Sequence, residues 1–466
     1  MKFIDRQNEL ERLDALVRRR AAGLVALWGR RRVGKTRLLM EWCGRHDGVY
    51  TVADQSAEAV QRRYFAEAVS VKLPGFSETE YADWPSLLRR ISRDSRAIGW
   101  RGPLILDEFP YLVASSPSLP SILQNWVDQE SREGGLLVAI AGSSQRMMQG
   151  LLLDAAAPLY GRAIEAFALT PIAAGWLGGA LGLKEAVRQV RAYSVWGGIP
   201  RYWELAEPFG EDLGLSVDRL MLDPAGPLHH EPDRLLMEEF PSAAVLRPLL
   251  DVIGGGAHRL SEIAGRLGQP ATSLSRPLGR LIDLGLVHKE IPFGESEKTS
   301  RRALYRISDP FFRCWFRVVA PHRALLATAV SKARLTLWTA FRPHLTAAAW
   351  EDLCRAAIPA LCGDDPTVWM PGRRWWHGSA PEWDVVSATV AGDAFLVGEV
   401  KWSESANSEK KLESLIPNLL SRPLPPGCPP DTTRALFVPI RPAGRARTVN
   451  GVRIYDAHDV MKGLKT

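Results

Sequence analysis

The sequence lacks the features that mark secreted or membrane-spanning chains. Its five cysteines are scattered and include no CxxC pair, which disfavours a disulfide framework or a zinc knuckle and favours a reducing compartment. No stretch of about 18 uninterrupted apolar residues occurs, and the N-terminal segment has no apolar core of the signal-peptide type. These absences predict a soluble, cytoplasmic protein.

The charge is not extreme in either sign. The chain has 59 Lys and Arg against 52 Asp and Glu, a formal net charge of +7, which is compatible with an anionic partner. Hydrophobic residues make up 46% and charged residues 24%, so a wholly disordered, collagen-like or coiled-coil chain is excluded. The length of 466 residues suggests about three domains.

A phosphate-binding loop lies near the N-terminus. Residues Gly23–Leu39 form an apolar run, a loop bounded by Gly29 and Gly34, and a helix-like stretch that starts at Lys35 and Thr36. This is the complete GxxxxGK[ST] pattern in its strand–loop–helix setting. The glycines let backbone N–H groups surround phosphates, Lys35 would contact the outer phosphates, and the Thr36 hydroxyl would bind Mg²⁺.

A second apolar run ends in two carboxylates. The segment PLILDE predicts a buried strand that ends at Asp107 and Glu108. We expect Asp107 to bind Mg²⁺ and Glu108 to activate the attacking water as a general base. A third apolar run is followed by Ser143 and Ser144, where either serine would sense the γ-phosphate or, alternatively, cap a helix.

Six segments together carry a family resemblance. They are FIDRQNEL, GRRRVGKTRL, LILDEFPYL, IAGSS, PLYGR and GGIPRYW, and they resemble the archaeal-type P-loop ATPases of the broad AAA+/STAND group. The resemblance implies ATP binding and hydrolysis. It also implies that Arg162 is an arginine finger or sensor and that Pro200 packs near the adenine. The alternatives are a surface ion pair for Arg162 and a helix breaker for Pro200.

The middle of the chain predicts a helical lid followed by a winged helix. Residues 169–238 have helical spacing, and His229-His230 is expected to be a solvated pair. Residues 257–306 contain two amphipathic helices, a turn, and two β-like stretches around a polar loop, which is typical of a helix-turn-helix with a wing.

The winged helix concentrates positive charge. Residues 257–306 hold nine Lys and Arg against five Asp and Glu. The side chains expected to contact DNA phosphates are Ser273, Arg276, Arg280, Lys298, Arg301 and Arg302. Pro277 lies inside the second helix, where it would remove a backbone hydrogen bond and kink the element. The alternative is that the winged helix serves only as a packing module.

The C-terminal region predicts a second phosphate-handling site. Asp384 lies on one strand, Glu399 and Lys401 lie two apart on the next, and a hairpin through residues 391–393 would bring the three together. Asp384 and Glu399 would bind Mg²⁺, and Lys401 would orient or deprotonate the attacking water. The alternative is an ordinary surface salt bridge between Glu399 and Lys401.

These residues resemble the PD-(D/E)XK nuclease superfamily, with Trp383 in place of the usual proline. The resemblance implies that Glu351 on the preceding helix is the first-helix acid. The same pattern belongs to the C-terminal domain of unknown function in the ATPase family named above, so the resemblance spans nearly the whole chain.

The expected fold class is α/β. It comprises a P-loop NTPase parallel sheet (1–168), a helical lid (169–238), a winged helix (239–310), a helical linker (311–345) and a restriction-endonuclease-like domain (346–466). The expected function is ATP hydrolysis with DNA engagement and a Mg²⁺-dependent nuclease-like site. The alternative is an ATP-dependent regulatory or signalling switch that binds DNA or a protein without cleavage. ATP-dependent oligomerisation is compatible with both.

Overall fold

The computed structural model describes residues 3–131, 135–239, 243–298, 300–363, 368–403, 409–441 and 447–465. The chain divides into two compact units, one of residues Phe3–Pro171 and one that comprises Ile172–Thr466. In the described part of the chain, no helix is both long enough and apolar enough to cross a membrane.

The first unit is built on a five-stranded parallel sheet with the order β2-β3-β4-β1-β5. The strands are β1 (Gly23–Trp28), β2 (Val49–Val52), β3 (Leu104–Asp107), β4 (Leu137–Gly142) and β5 (Ala163–Ala168). The α-helices are Gln7–Arg18, Lys35–Arg45, Glu58–Val69, Trp84–Ile98, Phe109–Ser115, Leu119–Trp126 and Gln145–Leu152. Strands β1, β3 and β4 are buried along their whole length, which explains their continuous apolar runs.

The sheet places three polar segments at one edge. Because β1, β3 and β4 are parallel neighbours, their carboxyl ends lie side by side. The glycine-bounded loop follows β1, Asp107 ends β3, and Ser143 follows β4. The segments that the sequence singles out therefore lie next to one another.

The second unit begins with helices, as the periodicity predicts. They are Leu177–Leu181, Ala186–Trp196, Pro200–Ala206, Leu213–Val217 and Glu231–Glu239. The expectation of a solvated histidine pair is wrong for His229, which is 4% exposed. Its ring nitrogen Nδ1 lies 2.9 Å from the Met221 carbonyl oxygen, and its own carbonyl accepts a hydrogen bond from the Trp315 indole. The ring contact gives the buried side chain a polar partner, and the indole contact does the same for the buried backbone carbonyl.

A winged helix follows. It contains the helices Ala243–Gly254, Leu260–Leu267 and Ala271–Asp283 and the antiparallel strands β6 (Val287–Glu290) and β7 (Leu304–Ile307). In the helix Ala271–Asp283, Leu274, Leu278 and Leu281 are buried. This helix continues through Pro277, so the proline does not end the element.

Two further helices, Pro310–Val318 and Arg323–Leu326, precede a long helix, Ser331–Leu361. The expected boundary between residues 345 and 346 falls inside that helix. Leu345, Ala349, Leu353 and Ala357 are all buried, so the apolar i, i+4 spacing runs through the boundary and favours one continuous helix.

The C-terminal part is a mixed sheet with the order β12-β13-β11-β10-β9-β8. Its strands are β8 (Arg373–Trp375), β9 (Trp383–Ala388), β10 (Phe395–Val400), β11 (Thr433–Phe437), β12 (Thr448–Val449) and β13 (Val452–Tyr455), and the remaining helices are Glu409–Ser421 and Ala457–Gly463. Strands β9 and β10 form the expected antiparallel hairpin. With the parallel sheet of the first unit and the winged helix, this sheet confirms the predicted α/β fold class.

Candidate functional sites

The phosphate-binding loop depends on glycines. Gly29 has φ +156° and Gly34 has φ +100°, conformations that residues with a side chain rarely adopt. A Cβ atom at Gly29 would lie 2.6 Å from the Leu169 carbonyl oxygen. Lys35 begins the helix, and its Nζ donates hydrogen bonds to the carbonyls of Gly29 (2.8 Å) and Arg30 (3.3 Å). Its ammonium group is therefore held against the loop.

Asp107 is the centre of a hydroxyl cluster. The Thr36 and Tyr50 hydroxyls each donate to Asp107 Oδ2 at 2.7 Å, and the Glu108 backbone N–H donates to Oδ1 at 2.9 Å. Asp107 is fully buried, and these three donors carry no formal charge. A buried carboxylate beside a hydroxyl is a donor set that suits a hard cation. Thr36 and Asp107 therefore fit a Mg²⁺ site.

Glu108 is held in a left-handed backbone conformation, with φ +52°. The Ser143 hydroxyl and backbone N–H both donate to its carboxylate, the latter over 3.2 Å. Ser144, the residue before the helix Gln145–Leu152, makes no side-chain cap bond. Ser143 thus contacts the candidate general base rather than capping the helix, and its role as a γ-phosphate sensor stays a prediction.

Arg162 makes the contact that its alternative interpretation expects. Its Nε donates to Asp128 at 3.0 Å, and Nη1 donates to the Tyr160 carbonyl at 3.1 Å. Its role as an arginine finger stays a prediction. Pro200 is the first residue of the helix Pro200–Ala206 in the second unit, and its proximity to the adenine likewise stays a prediction.

Two residues of the first unit were missed by the sequence reasoning. Tyr50 lies on β2, whose partner is β3, and it reaches Asp107 across the sheet edge. Arg6 is buried and donates to the carbonyls of Val33 (3.1 Å) and Thr170 (2.6 Å), so it ties the phosphate-binding loop to the segment after β5. Arg6 lies in FIDRQNEL, but only the fold reveals its contacts.

Most of the winged-helix side chains that are predicted to contact DNA are exposed to solvent. Ser273, Arg276, Lys298 and Arg301 are exposed, and Arg280 is half-buried. The Arg302 guanidinium pairs with Glu295 and donates to the Trp376 carbonyl at 3.4 Å. The predicted basic surface is therefore present, although Arg302 also has a structural role.

Asp384 and Glu399 meet at the open end of the β9–β10 hairpin. Val385 pairs with Gly398, so the next residues along each strand are Asp384 and Glu399. The Val400 backbone N–H donates to Asp384 Oδ2 at 2.8 Å. Burial, and after it the charges of Glu399 and Glu351, raise the pKa of Asp384 to about 6. The three predicted acids thus share one electrostatic environment.

Cations bind two of the three acids of this site, Glu399 and Glu351. Both Glu399 oxygens are engaged, Oε1 by Lys401 and Oε2 by Arg422. Glu351 lies 3.6 Å from the guanidinium of Arg355. Among the described residues, no group of three or more His, Cys, Asp or Glu side chains is arranged to hold a metal ion. A divalent ion at Glu399 would therefore compete with Lys401 and Arg422 for the carboxylate charge.

Arg422 and Arg355 were not expected from the sequence. Arg422 follows the helix Glu409–Ser421, and Arg355 donates to the Asp384 carbonyl at 3.1 Å. Neither arginine belongs to a motif of fixed spacing, so only the folded chain shows that they reach the acids.

Comparisons with known proteins match two separate parts of the chain. Residues 3–204 match a family described as an ATPase domain predominantly from Archaea, and residues 315–412 match archaeal and bacterial proteins of unknown function. An uncharacterized protein of Methanocaldococcus jannaschii is 26% identical over 419 residues, which are 88% of this chain and 89% of that protein.

The solved structures similar to this chain include an ATPase and an Orc2 protein. A Walker-type ATPase of Pyrococcus abyssi has a TM-score of 0.54 at 19% identity, over 68% of this chain and 96% of its own. The Orc2 protein of Aeropyrum pernix, solved as ADPNP and ADP complexes, has a TM-score of 0.42 at 15% identity, over 73% of this chain and 96% of its own.

The matched ATPase family, the complete phosphate-binding loop and the Thr36–Asp107–Glu108 cluster agree. The chain binds and hydrolyses ATP. Its residues 3–204 match the family of ATPase domains found predominantly in Archaea, and residues 315–412 match a family of archaeal and bacterial proteins whose function is unknown.

Proposed function

We propose that this ATPase acts with Mg²⁺ and engages DNA, and that its nucleotide state controls the DNA-binding surface. Mg²⁺ at Thr36 and Asp107 would neutralise charge on the ATP phosphates. Lys35 would contact the outer phosphates. Glu108 would accept a proton from the attacking water once the Ser143 hydroxyl no longer donates to the Glu108 carboxylate.

The observation that carries the DNA proposal is the exposed basic surface of the winged helix. Arg276, Arg280, Arg301 and Arg302 would contact phosphates, because arginine forms paired hydrogen bonds with phosphate oxygens. These residues lie on the helix Ala271–Asp283 and next to β7, the two elements with which winged helices approach a duplex. The direct test is titration of labelled duplex DNA with the wild-type chain.

We further propose that the C-terminal site is nuclease-like. The raised pKa of Asp384 supports this role, because a buried carboxyl beside two other acids is stabilised when a cation binds. Mg²⁺ held by Asp384 and Glu399 would polarise a phosphodiester. Lys401 would orient the water that breaks a P–O bond, and Glu351 would complete the acidic group.

One observation favours a second function. Because Lys401 and Arg422 already bind both Glu399 oxygens, the site is also stable as a salt-bridge cluster that cuts nothing. The protein would then be an ATP-dependent switch that binds DNA or a protein partner without cleavage. ATP-dependent oligomerisation would suit this function and stays a prediction, as does the cytoplasmic location.

A paired experiment separates the two functions. DNA cleavage with Mg²⁺ is measured for wild type, Glu399→Ala and the control Glu80→Ala, an exposed glutamate of the first unit. A nuclease predicts cleavage that survives only in wild type and the control. Cleavage that survives in Glu399→Ala excludes this site. The switch is favoured if the wild-type chain cuts no DNA and if Mg²⁺ binding, measured by calorimetry, is the same in wild type, Asp384→Asn and Glu399→Ala.

A further inference from the structure

A groove of about 610 Å³ lies between the winged helix and the segment that joins β8 to β9. Among the described residues that line it, four carry positive charge and one carries negative charge. They are Arg259, Lys289, Arg301 and Arg302 against Glu382. Ala271, the first residue of the helix Ala271–Asp283, also lines the groove.

The positive charge of the groove is only partly compensated. Arg302 pairs with Glu295, and Glu382, the acid of the lining, pairs with Arg374 outside it at 2.9 Å. Lys289 donates to the Glu297 carbonyl at 3.0 Å, a neutral acceptor that leaves the ammonium charge in place. Arg259 and Arg301 are exposed. The groove is therefore an electropositive channel suited to a polyanion.

Hydrogen bonds hold the two walls together. The Phe293 N–H donates to the Arg374 carbonyl at 2.8 Å, and Arg302 donates to the Trp376 carbonyl. These contacts join the wing to β8 and to the residue after it. The groove is thus formed before any ligand binds, which lowers the entropic cost of binding.

The same wall leads to the acids of β9 and β10. Glu382 precedes Asp384 by two residues, a distance of about 7 Å along an extended chain. Arg422 donates to the Glu382 carbonyl at 2.8 Å and also pairs with Glu399. The groove wall and the acidic site therefore belong to neighbouring residues of one segment, and Arg422 contacts both.

We propose that this groove holds one DNA backbone and leads it from the winged helix to Asp384 and Glu399. The inference rests on the proposed DNA engagement and adds the path that the DNA backbone follows. Arg259 and Lys289, which the sequence pattern does not single out, contact phosphates together with Arg301. The C-terminal domain contributes one wall, so the winged helix alone does not form the complete DNA site.

The test measures the affinity for a fluorescent duplex by anisotropy, without Mg²⁺, over a series of salt concentrations. Loss of two phosphate contacts in Arg259→Ala/Arg301→Ala should weaken binding roughly tenfold and make the plot of log K against log salt shallower by about 1.8. The control is Arg63→Ala/Arg93→Ala, two exposed arginines of the first unit, which should bind as wild type. Normal ATP turnover confirms that each variant is folded.

The outcomes separate the groove from the proposed function. If wild type does not bind DNA, the proposed function fails. If wild type and Arg259→Ala/Arg301→Ala bind with equal affinity and slope, the groove is excluded while DNA engagement stands. Arg259→Lys/Arg301→Lys should restore the slope, and failure to do so contradicts phosphate contact.

The path to the acids has its own readout. At pH 7.5, Asp384→Asn removes a negative charge from the end of the groove, so without Mg²⁺ it should bind DNA a few times more tightly than wild type. The control Asp154→Asn alters an exposed aspartate of the first unit and should leave the affinity unchanged. An unchanged affinity in Asp384→Asn excludes a DNA path that ends at the acids.

Discussion

The ATP site and the C-terminal site both contain adjacent acids, but the two sites hold them differently. Asp107 and Glu108 accept hydrogen bonds from neutral donors, namely the hydroxyls of Thr36, Tyr50 and Ser143 and backbone N–H groups. Glu399 is instead bound by the cations Lys401 and Arg422. Neutral donors orient a carboxylate and leave its charge for a metal or a proton, whereas cations neutralise that charge.

The donors around each pair of acids show how far an acidic motif predicts chemistry. In the first unit, the donors around the acids suit catalysis, and the family match agrees with the motif. In the C-terminal domain, the acids lie where the short motif places them, but their partners suit either a metal site or a salt bridge. Neutral donors therefore indicate acids whose charge is available to a metal or a proton, and cationic donors indicate acids whose charge is already neutralised.

The largest expected effect is on the general base. Glu108→Gln keeps the shape of the side chain but cannot accept the proton from water, so ATP turnover should fall by roughly 10²–10⁴. Binding of a labelled ATP analogue should persist. Steady-state phosphate release checks the prediction, with Glu80→Gln as control. Turnover within threefold of wild type would show that Glu108 is not the base.

A smaller effect is expected from the hydroxyl cluster. Tyr50→Phe removes one hydrogen bond to Asp107, worth about 1 kcal/mol, so the Mg²⁺ concentration for half-maximal turnover should rise roughly fivefold. The KM for ATP at saturating Mg²⁺ should stay unchanged, because Tyr50 orients the metal-binding carboxylate. Tyr64→Phe, at an exposed tyrosine, is the control. A change in the KM for ATP alone would contradict this assignment.

The smallest effect concerns stability and pH. Because Asp384 has a pKa of about 6 against a usual value of 3.8, the folded chain keeps a proton that the unfolded chain loses between these values. Unfolding then releases a proton, so stability falls as pH rises from about 4 to about 6, and the penalty persists above pH 6. Asp384→Asn should raise Tm by a few degrees at pH 7.5 and by less at pH 5.

Scanning calorimetry at the two pH values checks this prediction and sharpens the comparison of the sites. A nuclease-like site predicts that Mg²⁺ raises the Tm of wild type at pH 7.5 but not that of Asp384→Asn. A salt-bridge cluster predicts no such difference. A Tm gain that is equal at pH 5 and pH 7.5 would contradict the raised pKa.

The sequence predicted most of the fold that positions these sites. The continuous apolar runs of β1, β3 and β4 and the fixed spacing of the phosphate-binding loop identified the first unit, because a buried parallel strand and a loop around phosphates leave few alternatives. The alternation around Asp384 and Glu399 likewise predicted the β9–β10 hairpin. These are local patterns, in which spacing alone determines which side chains meet.

The sequence could not predict contacts between distant segments. Arg6 reaches Thr170, Tyr50 reaches Asp107, and Arg422 reaches Glu399 only because the sheets bring these segments together. The burial of His229 has the same cause, because its carbonyl accepts a hydrogen bond from the indole of the distant Trp315. No periodicity records such pairings, and they decide how the charge of each acid is compensated.

The proposed coupling between nucleotide state and DNA binding can be measured in a single variant. The DNA affinity of Glu108→Gln is the most direct readout. This variant should hold ATP without consuming it, so its affinity for a duplex can be measured with Mg²⁺–ATP and with no nucleotide. Coupling predicts affinities that differ at least about fivefold, the lower end of the typical range. Lys35→Ala, which should not bind ATP productively, should show no difference. Equal affinities in Glu108→Gln with and without ATP would contradict the account.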